Sequence, residues 1–268
     1  MLTQLEEILA HTLTEVKERR ATADVSLLER KAAAHQTRGF EAALRRVAVS
    51  GPAIIAELKK ASPSRGLIRA NFDARSLAAS LEGAGAAALS VLTNQKFFQG
   101  SLEYLETASA TVKIPCLRKD FIVDPFQILE ARASGADAIL LIIAALDDAA
   151  LKSLYAEAQR LSLDVLCEIH DREELERASA LGFTVIGVNS RNLHTMEVQP
   201  QTQIELAQWL PQSAMLVAES GIRTAADIAQ MRAAGYHAFL IGESLMKQPN
   251  PSEALAALLE PEASLKYV

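Results

Sequence analysis

The 268-residue sequence predicts an α/β protein, a single (βα)8 TIM barrel with an N-terminal helical extension. Three observations carry that prediction. Short β-rich apolar runs alternate with longer helical stretches, which implies a parallel sheet. The alternation repeats eight times over roughly 220 residues, as a closed barrel requires. The runs are almost continuously apolar, as strands covered on both faces are. A doubly wound open sheet would carry a glycine-rich fingerprint after its first strand. Here that strand runs into KKASPSRG.

Residues 1–48 are charged, and Leu5, Ile8, Leu9, Leu13 and Val16 fall at helical spacing. They read as a helical extension packed on a barrel domain of residues 49–268. Gly51-Pro52 breaks the helical pattern. The candidate strands are then Ala53–Leu58, Ala87–Leu92, Ile114–Lys119, Ala138–Ile143, Val165–Ile169, Val185–Asn189, Met215–Glu219 and Ala238–Ile241. Gly85, Gly135, Gly182 and Gly235 each stand just before a strand, where a helix C-cap belongs. The segments GAGAAALSVL, SGADAILLII, LGFTVIGVNS and AGYHAFLIGE form a loose repeat of one βα unit.

Composition narrows the function. Half the residues are hydrophobic and 22% are charged, which excludes a disordered chain. A net charge of −6 without a basic block argues against a nucleic-acid binder but allows a local anion pocket. The longest apolar run, Ala138 to Leu146, is far short of the roughly 20 residues of a membrane span. The N-terminus has acidic residues where a signal peptide is basic, so a soluble cytoplasmic protein is expected. Cys116 and Cys167 are too few for a disulfide framework or zinc site and read as buried thiols.

Chemistry in such a barrel sits at the C-terminal strand ends. There the sequence carries Glu57, Lys59, Lys119, Glu168, Asn189, Arg191 and Glu219. Residues i and i+2 share a strand face. If Lys119 and Glu168 point inward, Leu117 and Leu166 do too, and Cys116 and Cys167 point outward. Any one of these polar residues could simply tie adjacent strands. Gathered at one end, carboxylates and lysines equip a site for general acid–base catalysis. Ser220-Gly221 and Gly242-Glu243-Ser244 follow the last two strands, where backbone N–H groups can bind a phosphate. Phe97, Phe98 and Phe121 suit either a platform for a flat ring or loop anchors, and Trp209 reads as shell packing. His170 falls near the rim, His194 lies on a loop, and His11, His35 and His237 read as surface or packing residues. No metal-ligand spacing, P-loop or dinucleotide motif is present.

The segments IAELKKASPSRG, SVLTNQKFFQGS, LRKDFIVDPFQI, LCEIHD, GVNSRNL, VAESGI and LIGESLM resemble the strand-end motifs of indole-3-glycerol phosphate synthases, in order and over nearly the whole chain. The resemblance implies a carboxy-lyase of tryptophan biosynthesis that works without metal or organic cofactor. It implies Lys119 as general acid and Glu168 as the group assisting dehydration. Glu57 and Asn189 match orienting residues, and Glu219 matches a further catalytic carboxylate. Lys59, Ser220, Gly221, Gly242 and Glu243 match the phosphate site, Glu243 through its backbone. Ser62 and Arg191 match contacts to the substrate carboxylate. Phe98, Phe121, Leu140 and Leu193 match the wall around the anthranilate ring.

Two departures stand out. Asn94 replaces a residue that is often acidic, and no aromatic precedes Phe40, so either Leu5 or Ile8 serves as the lid or the lid is looser. Two alternatives remain at this level. A phosphoribosylanthranilate isomerase relies on a cysteine and an aspartate at strand ends. A non-catalytic barrel binding a phosphorylated ligand has no use for both acid and base. The expected partner is a phosphorylated small molecule, with no nucleic acid or membrane. The acidic surface and the extension suit a monomer.

Overall fold

The computed structural model describes residues 3–192 and 197–260. Three helices come first: α1 (Gln4–Thr22), α2 (Val25–Ala34) and α3 (Phe40–Ala48). Eight parallel strands then close a barrel: β1 (Ala53–Leu58), β2 (Ala88–Leu92), β3 (Cys116–Lys119), β4 (Ala138–Ile142), β5 (Asp164–Ile169), β6 (Val185–Asn189), β7 (Met215–Glu219) and β8 (Ala238–Ile241). Each lies within two residues of the predicted run. Around them stand α4 (Ala74–Gly83), α5 (Gln95–Phe98), α6 (Leu102–Thr111), α7 (Pro125–Ala133), α8 (Asp148–Arg160), α9 (Arg172–Ala180), α10 (Gln201–Ala207), α11 (Ala225–Ala233), α12 (Glu243–Met246) and α13 (Pro251–Leu259). A small hairpin, Ala61–Ser62 against Gly66–Leu67, folds KKASPSRG back over the end of β1.

The repeat has a backbone cause. Gly85, Gly135, Gly182 and Gly235 all adopt positive φ. In each case the next amide reaches back to the final helical turn: Ala86 to Leu81, Ala136 to Ala131, Phe183 to Ala178 and Tyr236 to Met231. One capping geometry therefore returns the chain to the sheet four times.

Side chains sort by strand parity. Ala53, Ile55, Leu117, Leu140, Leu166, Val185, Met215, Val217 and Leu240 fill the barrel interior. Ile54, Ala56, Cys116, Ile139, Cys167 and Ile186 face the helices. Phe40 and Leu44 of α3 join the interior cluster, closing the N-terminal end of the barrel.

The segment before α3 is fastened by charge. Arg38 donates from Nε and Nη2 to Asp137 Oδ2 and from its backbone to Oδ1, while Asp137 also accepts the Cys116 amide at 2.7 Å. Burial works to raise the Asp137 pKa, but its bonds to His35 and Arg38 win and hold it below the ordinary range. Removing one partner of a buried pair strands the other charge. Arg38→Ala should therefore lower the unfolding free energy at pH 7 by about 3–5 kcal/mol in urea titrations. Because the Asp137 pKa is depressed, the wild-type advantage should be full above the usual aspartate pKa of about 3.9 and fade as pH falls through the depressed value.

Candidate active site

The inward parity continues two residues beyond the apolar layer. Leu117 leads to Lys119, Leu166 to Glu168, Val185 to Gly187 and Val217 to Glu219. These residues meet at a cavity of about 900 Å³ at the C-terminal end of the barrel. Glu57, Lys59, Ser62, Phe98, Lys119, Phe121, Leu140, Glu168, Asn189, Arg191, Glu219, Ser220, Gly221, Gly242 and Glu243 all line it. Leu193 and His194 lie outside the described residues. Cys116 and Cys167 are free, buried and turned away from the cavity. Burial pushes the Cys116 thiol up to about 12 and Cys167 upward as well, leaving neither reactive.

Lys119 holds the centre. Its Nζ donates to Glu168 Oε2 at 2.9 Å and lies 3.7 Å from Glu219 Oε2. Burial alone would depress its pKa, but the Glu168, Glu219 and Glu57 carboxylates reverse that and hold it above the ordinary lysine range. Glu168 responds in the opposite sense. Burial favours its neutral form, yet Lys119 and His170 keep its pKa well below the carboxylate range. Glu219 is pushed above that range by burial and by the Glu168 charge. One lysine ammonium thus sits beside an ionised carboxylate and a second that favours its proton.

The remaining polar groups frame this centre. Glu57 and Lys59 share a face and form an ion pair, as their spacing predicts. The strand of Asn189 ends there, and Arg191 returns to the cavity through a bridge to Val198 instead. Asn189 Oδ1 accepts from the Arg191 amide at 3.0 Å and from Ser220 Oγ at 2.8 Å. With its oxygen engaged, the amide N–H₂ is the donor left for the cavity.

Ser220 and Gly221 both take left-handed backbone conformations, with φ of +64° and +80°. For Ser220 this costs about 1–2 kcal/mol, and such strain concentrates at functional turns. The turn leads into α11, while Gly242 begins α12. Glu243 directs its carboxylate to Lys247 at 2.5 Å and Arg65 at 3.1 Å, with Arg191 at 3.9 Å. Burial opposes its charge, but Lys247 and Arg65 overcome that and lower its pKa.

Phe98 and Phe121 stand 6.3 Å apart in tilted contact on one wall. Asn94 supports them by capping α5, its Oδ1 accepting the Phe97 amide at 3.0 Å. A carboxylate oxygen would serve that bond equally well, so the departure at Asn94 leaves the loop built. Leu5 and Ile8 of α1 line the same cavity. Trp209, expected in the shell, is instead 51% exposed after α10, with the Arg172 guanidinium 4.0 Å from its ring centroid.

Three contributors were missed in the sequence: Arg65, Lys247 and Gly187. Arg65 and Lys247 line the cavity beside Glu243. Arg65 stands in the quoted KKASPSRG, and Lys247 is four residues from Glu243, so a charge scan of the rim would have found both. Gly187 and Gly242 act by lacking a side chain. A Cβ on Gly187 would lie 2.0 Å from Glu219 Oε1, and one on Gly242 would lie 2.3 Å from Glu57 Oε1. Gly187 pairs in register with Glu168. Its empty position lets Glu168 and Glu219 converge on one ammonium.

The family model described as indole-3-glycerol phosphate synthase matches residues 5–258. A relative from Koribacter versatilis (strain Ellin345), named indole-3-glycerol phosphate synthase, is 58% identical over 97% of this chain and 100% of its own. One from Burkholderia vietnamiensis (strain G4 / LMG 22486), with the same name, is 48% identical over 95% of this chain and 98% of its own. Among solved structures, a 3-hexulose-6-phosphate synthase shares the fold with a TM-score of 0.61 and 14% identity, covering 78% of this chain and 100% of its own.

Gly187→Ala should fold but displace Glu219. Misplacing a reacting group by about 1 Å can cost roughly 10²-fold, so kcat in steady-state assays should fall by about that factor with little change in KM. Unchanged kcat would show that Glu219 can move without consequence.

Proposed function

The chain belongs to the indole-3-glycerol phosphate synthase family, and from that premise we propose how its residues divide the reaction. The activity is a carboxy-lyase step of tryptophan biosynthesis. It converts 1-(2-carboxyphenylamino)-1-deoxyribulose 5-phosphate to indole-3-glycerol phosphate, CO₂ and water. The observation that carries the assignment is the buried Lys119 ammonium, 2.9 Å from Glu168 and 3.7 Å from Glu219 in a cavity flanked by strained backbone turns.

The ring carbon bearing the carboxylate attacks the ketone carbon, and the carbonyl oxygen takes the Lys119 proton. A raised pKa keeps Lys119 charged until that moment. The alkoxide forming on the substrate is far more basic than an amine, so the transfer remains downhill. Attack leaves an electron sink next to the carboxyl-bearing carbon, and CO₂ departs as its bonding electrons restore the aromatic ring. The new hydroxyl takes up a proton from solvent and leaves as water, while Glu168, ionised at rest, takes the proton lost from the adjacent ring carbon and returns it to Lys119.

Glu57 and Asn189 orient the reacting centre, and Glu219 poises Lys119 from the other side. Lys59 and the backbone of Ser220, Gly221, Gly242 and Glu243 hold the phosphate. With the Glu243 carboxylate drawn to Lys247 and Arg65, its repulsion of the phosphate is reduced. Ser62 and Arg191 receive the substrate carboxylate. Ser62 Oγ is buried without a hydrogen-bond partner among the described residues, as suits an atom that a ligand completes. Phe98, Phe121 and Leu140 enclose the anthranilate ring, with Leu193 assigned to the same wall. Leu5 and Ile8 cover the mouth from α1. Among the described residues no helix is long and apolar enough to cross a membrane.

Turnover is tested with this substrate in EDTA, following indole fluorescence. Wild type should be active, and Lys119→Ala should lose about 10² to 10⁴ in kcat, as expected for a missing general acid. Near-normal turnover by Lys119→Ala would overturn its role. Lys59→Ala should chiefly raise KM and weaken binding of inorganic phosphate, and an unchanged KM would remove it from the phosphate site.

A further inference from the structure

Glu168 has a second cationic neighbour outside the cavity wall. His170 follows it by two residues, just past the end of β5, with 13% of its side chain exposed. His170 Nε2 lies 3.4 Å from Glu168 Oε1, within ion-pair reach but without hydrogen-bond alignment, on the oxygen that Lys119 leaves free. On the other side, His170 Nδ1 lies 3.0 Å from Glu174 Oε2, and the same oxygen accepts the His170 backbone N–H at 2.8 Å. Glu174 stands in the first turn of α9, and its own amide is held by the N-cap Asp171 at 2.9 Å. The imidazole is therefore aimed by a helix end. Both ring nitrogens face carboxylates, and both can donate only in the imidazolium form.

We propose that His170, held by Glu174, is a positioning residue for the reaction: a fixed imidazolium that aims Glu168 and keeps it ionised while Lys119 gives up its proton. The inference rests on the acid–base reading of Lys119 and Glu168. When Lys119 becomes neutral, Glu168 loses one of the two charges that hold its pKa down. A buried carboxylate with no remaining cation would take up a proton and could not act in dehydration. The charged groups around His170 are Glu168 from β5 and Glu174 from α9, with Lys119 from β3 and Glu219 from β7 beyond Glu168. Burial alone would lower its pKa, but the two carboxylates push it up to about 10. The cation therefore persists through neutral pH. Its contribution to stability is full below the ordinary histidine pKa of about 6.5 and is lost as pH rises through the raised value.

The test uses wild type, His170→Gln and Glu174→Gln. In wild type, imidazole ¹⁵N shifts should report doubly protonated His170 up to pH 8. His170→Gln should lower kcat about tenfold, leave KM within about twofold, and move the acid limb of the kcat profile up by about one pH unit. Glu174→Gln, which does not line the cavity, should move that limb the same way by less. A neutral His170 at pH 7 overturns the proposal. So does folded His170→Gln with wild-type kcat and acid limb, even if its melting temperature falls. Should His170→Gln fail to fold, the nitrogen shifts and Glu174→Gln decide. Absent wild-type turnover would overturn the assigned reaction instead, and the nitrogen shifts would still report the state of His170.

Discussion

Everything at the mouth depends on closure of eight parallel strands with a two-residue side-chain period. In a closed barrel the inward face has no edge, so inward residues of every strand are driven toward one axis. The lower positions are apolar and fill that axis, with Leu117, Leu140, Leu166, Val185 and Val217 in one cluster. The next inward positions have no apolar layer above them. Lys119, Glu168 and Glu219 are placed there by strands whose interiors already fix their direction. A one-residue slip in β3 or β5 would send its charged end among the helices and bring Cys116 or Cys167 inward.

Charge balance then sets the chemistry. Burying Lys119, Glu168 and Glu219 together is tolerable only because they compensate one another. The arrangement is asymmetric: Glu168 has two cationic neighbours, and Glu219 has one that it shares. That asymmetry separates an ionised carboxylate from one that favours its proton, giving one fold both acidic and basic groups. Gly187 makes the asymmetry possible sterically, since any side chain there would occupy the Glu219 carboxylate position.

The N-terminal helices contribute at both ends of the barrel. Phe40 and Leu44 of α3 seal the bottom, and Leu5 and Ile8 of α1 reach the mouth. A partly buried network joins α1 to the strand that carries Lys119. Arg19 bonds Glu130 at 2.9 Å, Glu130 meets Arg118 at 3.4 Å, and Arg118 bonds Asp120 at 3.0 Å. Arg118 faces outward in β3, and its neighbour Lys119 faces inward. The extension is thus coupled to the strand that carries Lys119 as well as to the cavity rim.

The eight strands, the four glycine caps and the shared faces of Lys119 with Leu117 and Glu168 with Leu166 were legible in the sequence. They follow from local rules: apolar runs, left-handed glycine and a period of two. The cavity-lining turns at Ser220-Gly221 and Gly242 were legible because small residues there recur at the same point of the βα unit. Other features depend on residues far apart in the chain. The empty volume at Gly187 acquires meaning only when β7 brings Glu219 across it. Arg65 meets Glu243 only because the hairpin after β1 carries it to the start of α12. The two-sided grip on His170 is local by contrast, since Glu168 and Glu174 stand only two and four residues from it. The sequence by itself determined which residues of each strand share a face, since the two-residue period is a property of the local backbone. Tertiary structure alone decided which charges share a proton, because ionisation depends on distances between groups that closure of the barrel brings together.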